Sequence, residues 1–352
     1  MKNHNQKGLS LVELLVALAI GGFLIIGAVT VQSQTRKTFS VNEAQARLQE
    51  TARFAMSVIE PETQLAGLMG YSNDLAGVKF DKGDGTEPVV AKLLSVKKTA
   101  AVGVPAVFSD CGANFAMDVN LPIQAEDGAW NIACAAGGTG YLPGTDTLTI
   151  RRSGTEKVDA EAGRLQVYAR RLKTDDSLLF SNGVAPHATK DGIAEVRNFY
   201  MKTYYVSPDA EGRPNLPSLR VKQILAKAGA AAWDDQELVR GVEDVQVELG
   251  VDPGSDSNGD GIIDVDENGL ATSVNGDVAR YVKPGDAVIA SGQVVTVRLW
   301  IRVRAEEAEP GFIDRRTYNY ASVKNFKPND GFRRVLMSRT IFVRNTRIFP
   351  TS

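Results

Sequence analysis

Between Asp256 and Glu267 the chain places oxygen-bearing side chains at intervals suited to a hard cation. The order Asp256-x-Asn258-x-Asp260-Gly261, then Glu267 after five further residues, satisfies the D-x-[DN]-x-[DN]-G-x₅-E pattern of a calcium loop. Such a match arises by chance in about one chain in a thousand of this length. The chemistry explains the spacing. Asp256, Asn258 and Asp260 would aim oxygens at one centre, and Gly261 would permit the sharp turn. Ile262 would offer its carbonyl, Asp264 would act directly or through water, and Glu267 would close the shell with both oxygens. Ile263 is then expected to point into the core. A metal-free acidic turn is the plain alternative.

A second carboxylate is anomalous for the opposite reason. Residues 9–31 carry a single charged side chain, Glu13, and the next cation is Arg36. A helix over this run would be roughly 35 Å long, enough for a bilayer core of about 30 Å. An acid in such a segment usually has a partner or a function. The simpler reading is an interfacial Glu near the helix end. The basic leader Met1–Gly8, with Lys2 and Lys7, favours a cytoplasmic N-terminus. No A-x-A-like site follows Val31, and the small-residue junction of note is Gly8–Leu9, ahead of the apolar run.

Cys111 and Cys134 are the only cysteines. In an exported body they are expected to form one disulfide, worth about 3 kcal/mol in the chain-entropy model; two free thiols are the alternative. A thiol–imidazole metal site lacks ligands, because the chain holds only His4 and His187.

The elements that must position these residues follow from periodicity. Beyond residue 31, Val41, Ala44, Leu48, Ala52, Ala55 and Ile59 recur every three or four residues, extending the helix as an amphipathic one over 32–68. Pro61 should kink or end it. From residue 69 to 352 the pattern turns to strands and loops. Strands are expected at 147–150, 165–169, 178–180, 196–206, 238–251, 293–303 and 334–343, with loop-rich stretches at 73–145 and 252–290. Upstream of the acidic loop stands a strand-like run, so the loop should lie between strands, not between helices. At 352 residues, 43% hydrophobic and 23% charged, with net charge −2, the chain can build one α+β head on a long helix. It is not basic, so bulk charge gives no case for nucleic acid. The Arg pairs 151–152, 170–171, 315–316 and 333–334 could form a patch only by converging in space.

The segment Gly8-Leu9-Ser10-Leu11-Val12-Glu13, followed by Leu14-Leu15-Val16-Ala17-Leu18-Ala19-Ile20, resembles the type IV prepilins. The resemblance narrows to the PilW family of minor pilins on four further segments. These are Arg47–Ala55 with Gln64–Gly67, Tyr204-Tyr205-Val206 with Pro217-Ser218-Leu219, Glu237–Val247 with Gly250-Val251-Asp252, and Arg333–Leu336 with Val343-Arg344-Asn345. It implies a pilin-like fold, a long helix packed on an antiparallel sheet head with long loops. It divides the chain into a leader (1–8), a membrane and filament-core helix (9–31), its amphipathic continuation (32–68) and a β-rich head (69–352). It implies cleavage between Gly8 and Leu9 by a prepilin peptidase, N-methylation, and Glu13 as an assembly contact. The implied role is initiation or assembly of type IV pili within a priming or tip complex. Partners would be other minor pilins, the major pilin and a tip adhesin, with the inner membrane as host before assembly and the pilus as destination. A type II secretion pseudopilin and a DNA-uptake pilin are the neighbouring readings. With no nucleophile motif and one His beyond the leader, an enzyme is not expected.

Overall fold

The computed structural model describes residues 10–70, 78–81, 89–90, 105–112, 115–119, 121–170, 177–186, 194–260, 262–265 and 271–345. The chain forms two units, residues 1–49 and 50–352. Helix α1 (Leu11–Gln64) begins in the first and ends in the second. Leu11, Leu14, Leu18, Phe23, Ile25 and Val31 are each more than half exposed, the surface expected of a segment made for lipid or for other helices. Thr30, Thr35 and Thr38 each donate a hydroxyl to the carbonyl four residues back, so these three hydroxyls are satisfied within the helix. It is long and apolar enough to cross a membrane.

In the second unit the predicted stripe closes on the head, where Ala52, Ala55, Met56 and Ile59 are buried. Pro61 does not end the helix, which runs on to Gln64. A proline so near the C-terminus forfeits a single helical donor, and the last turn is held by other contacts described below. Gly67 then turns the chain with φ +79°, and a Cβ there would lie 3.1 Å from the Asn345 carbonyl.

The head carries two larger sheets. One contains β1 (Lys79–Phe80), β2 (Val89–Val90), β3 (Ile123–Glu126), β4 (Thr147–Ser153), β5 (Ala162–Arg170), β6 (Leu178–Asn182), β7 (Ala194–Ser207), β8 (Ser218–Lys227) and β9 (Ala230–Arg240). Pairing is antiparallel except between β1 and β6. Strand β7 is the hub, pairing β5 through its first half, β4 through its middle and β8 through its second half. Its aromatic run divides accordingly: Phe199, Tyr204 and Tyr205 are buried and Tyr200 lies partly exposed. Met69, Phe80, Phe108, Phe115, Met117, Leu165, Val167, Phe199 and Met201 form a core beneath this sheet. The short turns Ala106–Phe108 and Phe115–Met117 join that core, and the Cys111–Cys134 disulfide ties them to the 130–135 segment.

The second sheet has order β11-β10-β12-β15, from β10 (Val242–Asp252), β11 (Arg280–Val282), β12 (Gln293–Arg304) and β15 (Arg334–Phe342). A one-turn helix α2 (Val288–Ser291) precedes β12, and a hairpin of β13 (Tyr318–Tyr320) and β14 (Val323–Phe326) lies between β12 and β15 in sequence. Val245, Val247, Leu249 and Val251 pair across from Ile301, Leu299, Val297 and Val294, and one face of this sheet is therefore a continuous aliphatic layer. The run expected as a single strand over 238–251 is two strands. Gly241 breaks it with φ +81°, and a Cβ there would stand 2.7 Å from the Arg304 carbonyl, so the chain crosses between sheets at a residue without one.

Candidate functional site

The first cluster is the start of α1. Ser10 and Glu13 satisfy each other's backbone: the Ser10 amide donates to Glu13 Oε2 at 2.8 Å, and the Glu13 amide donates to Ser10 Oγ at 3.2 Å. This is a capping box, and its S-x-x-E signature is legible in the sequence. In the single chain, then, the anomalous acid of the apolar run closes the helix N-terminus. Gly8 and Leu9 lie outside the described residues.

The second is the helix–head junction, which sequence reasoning missed. Glu62 accepts from Arg152 Nε of β4 at 2.6 Å and from Lys202 Nζ of β7 at 2.7 Å. Two residues earlier Glu60 accepts from Arg339 Nη1 of β15 at 2.6 Å. The Gln64 carbonyl accepts from the Arg344 amide at 3.0 Å, and the Leu68 carbonyl from the Ser153 amide at 2.6 Å. The end of one helix is thus bonded to both larger sheets. Burial by itself would raise the Glu62 carboxyl, but the bonds and charges of Arg152 and Lys202 outweigh it and hold it below the usual carboxylate range.

A third contact, also between the sheets, uses Asp146. Its two oxygens accept from the Gly128 amide at 2.9 Å and the Val247 amide at 2.8 Å, and its own amide donates to the Val245 carbonyl at 2.8 Å. No cation bonds it. Burial pushes its carboxyl up to about 7, with the two amide bonds pulling the other way.

The acidic loop lies between strands β10 and β11, as expected, and the bridge Val265–Ala271 draws its two limbs together. Its side chains fold onto its own backbone. Asp256 Oδ1 accepts from the Gly259 amide at 2.6 Å, Asn258 Oδ1 from the Asp260 amide at 2.9 Å, Asp260 Oδ1 from the Ile262 amide at 2.8 Å, and Asp264 Oδ2 from the Ser257 amide at 2.9 Å. Each acid thereby spends one oxygen on the curl of the chain. Among the described residues, no three acids, histidines or cysteines converge on a point that could hold a metal. Gly261 and Glu267 lie outside the described residues, so the expected ligand set is only partly in view. Ile263 departs from expectation: it is 37% exposed and not in the core, because the loop around it curls onto its own backbone.

Among the described residues, the members of the Arg pairs turn to separate partners. Arg151 is buried and donates to the Phe115 and Leu121 carbonyls and to Gln124. Arg152 serves Glu62, Arg316 pairs with Asp314, Arg333 with Glu309, and Arg334 with Glu243 and Asp330. Arg171 and His187 lie outside the described residues, and Arg170 is described only in its backbone.

Comparison with known families meets this geometry at both ends of the chain. Residues 203–345, which span β8 to β15 and the acidic loop, match the family Type IV Pilus-assembly protein W, PilW. Residues 3–29, the leader and the first part of α1, match the Prokaryotic N-terminal methylation motif. Searches of curated proteins and of solved structures give no match. One chain thus joins a head segment that matches the type IV pilus-assembly protein W family to a helix that begins as a match to the prokaryotic N-terminal methylation motif.

Proposed function

We propose that this protein is a minor pilin acting in the initiation or assembly of type IV pili, within a priming or tip complex. The observation that carries the reading is the union, in one chain, of an N-terminal methylation motif and a PilW-family head through one 54-residue helix. In this reading a prepilin peptidase cuts after Gly8 and Leu9 becomes the methylated N-terminus. The helix anchors the protein in the inner membrane with its head in the periplasm, and later packs into the filament. There Glu13 exchanges its intrachain capping bond for a contact with a neighbouring subunit. Other minor pilins, the major pilin and a tip adhesin are the partners. The head is structural and has no catalytic task. The consumption of Arg152, Arg316, Arg333 and Arg334 in ion pairs favours protein over nucleic acid as what it touches.

The acidic loop is proposed to take calcium as a structural clamp, with Asp256, Asn258, Asp260, the Ile262 carbonyl, Asp264 and Glu267 as ligands. The motif spacing supports this. Extracellular calcium would fill even a weak site.

Deletion of the gene tests the main reading, scored by surface pili and retraction-dependent motility. Loss of both, restored by the intact gene and not by a Glu13→Ala variant, is the expected result. Normal piliation with defective protein secretion would move the protein to the type II secretion pseudopilins.

A further inference from the structure

Strand β15 ends the four-stranded sheet and pairs with β12 over its full length without a register shift. The Val343 amide donates to the Val295 carbonyl at 3.0 Å. In an antiparallel ladder this orientation alternates, so 335, 337, 339 and 341 also turn their amides toward β12, while 336, 338, 340 and 342 turn theirs away. The two ends of that outward row are occupied. The Arg334 carbonyl accepts from Arg316 Nη2 at 2.9 Å, and the Arg344 amide donates to the Gln64 carbonyl at 3.0 Å. Between them, the backbone N–H and C=O groups of Leu336, Ser338, Thr340 and Phe342 have no partner among the described residues. Ser338 and Thr340 are exposed, and the Phe342 ring is 70% exposed. Such an edge is usually blunted by a bulge, a proline or a cover; within these four positions β15 has neither bulge nor proline, and no described residue bonds to its outward backbone.

We propose that the open stretch 336–342 of β15 is a strand-addition site for an extended acidic segment of another polypeptide. The backbone ladder would supply affinity, Phe342 an apolar anchor, and the exposed Arg344, with Arg339 shared with Glu60 of α1, the choice of charge. Charge also decides against a second copy of this chain. Antiparallel self-pairing centred on the open stretch would set Arg339 against Arg339, and like charges directly opposite destabilise a pair of strands. The site stands whether or not the partner is a pilus subunit.

The test uses the full chain in detergent micelles, with a short synthetic peptide alternating glutamate and valine as probe and a lysine-for-glutamate counterpart as control. Amide hydrogen exchange across 336–342 is expected to slow about tenfold with the glutamate peptide and to stay unchanged with the lysine peptide. Thr340→Pro should abolish the slowing while leaving the β15–β12 ladder intact, since the Thr340 amide points outward. Phe342→Glu should abolish it by charge, without touching the backbone, and serves if the proline variant does not fold. No slowing with the glutamate peptide, equal slowing with both peptides, or slowing that survives both variants would overturn the proposal. So would sedimentation of the wild-type chain as a dimer that Thr340→Pro dissolves, which would assign the edge to a second copy.

Discussion

Two acid-rich regions flank β10, and they treat their carboxylates in opposite ways. At its start, Glu243 Oε1 receives Arg302 Nε at 2.5 Å and Arg334 Nε at 2.6 Å. Asp244 beside it is 3% exposed, accepts from the Tyr320 hydroxyl and from Gln246 Nε2, and lies 3.5 Å from Arg302. Burial still pushes the Asp244 carboxyl up, with Arg302 opposing. Just past the end of β10, Asp256, Asn258, Asp260 and Asp264 stand at the surface and are met by amides of their own loop. The first region neutralises acids with distant residues and so fastens elements together. The second turns its side chains onto local amides and so shapes a single loop. Composition is similar; the reach of the partners differs.

The comparison breaks first at Glu243. Glu243→Ala leaves Arg302 and Arg334 buried without their shared carboxylate, and should cost about 3–5 kcal/mol by chemical denaturation. A loss below about 1 kcal/mol would mean that Asp244 and Asp330 can carry both guanidiniums. Calcium sharpens the other side. The wild-type chain should gain about 2.7 kcal/mol of stability at a calcium concentration near a hundred times its dissociation constant, and Asp260→Ala with Glu267→Ala should gain nothing. No heat on calorimetric titration of the full chain would return the loop to a plain acidic turn.

Asp146 offers a smaller and opposite test. Its folded carboxyl is raised to about 7 from an ordinary value of 3.8. The folded state therefore holds the proton more tightly than the unfolded one across that window. Stability from this group is greatest at the acidic side and falls as pH rises toward 7, by at most about 1.4 kcal/mol per pH unit. Asp146→Asn should flatten that slope. Glu62, held below its ordinary value by Arg152 and Lys202, should run the other way, its contribution present above its unfolded value and lost as the pH falls below it. Smallest of all, Ser10→Ala should leave the head untouched and speed exchange of the Glu13 amide about fivefold.

Legibility in the sequence followed the range of the interaction. The long helix, the strands at 147–150, 165–169, 178–180, 293–303 and 334–343, and the placement of the acidic loop between strands were all readable, because each rests on neighbours a few residues apart. The Cys111–Cys134 bond was readable by elimination. Where reading stopped short, a tertiary contact intervened. Pro61 was given too much power, since the turn beyond it is fixed by β4, β7 and β15. Gly241 was passed over as part of one strand because the approach of Arg304 that demands it comes from far along the chain. Ile263 was assigned to a core that the loop does not reach.

By itself the sequence determined the membrane-length helix, the β-rich head and the kinship with pilus-assembly proteins, all carried by spacing and residue type. Only the tertiary structure decided which cations Glu60, Glu62 and Glu243 would meet, that Arg152, Arg316 and Arg333 serve separate acids, and that the edge of β15 stays open between two closed ends. Those outcomes depend on residues scores of positions apart being brought to within about 3 Å, and periodicity carries no record of such meetings.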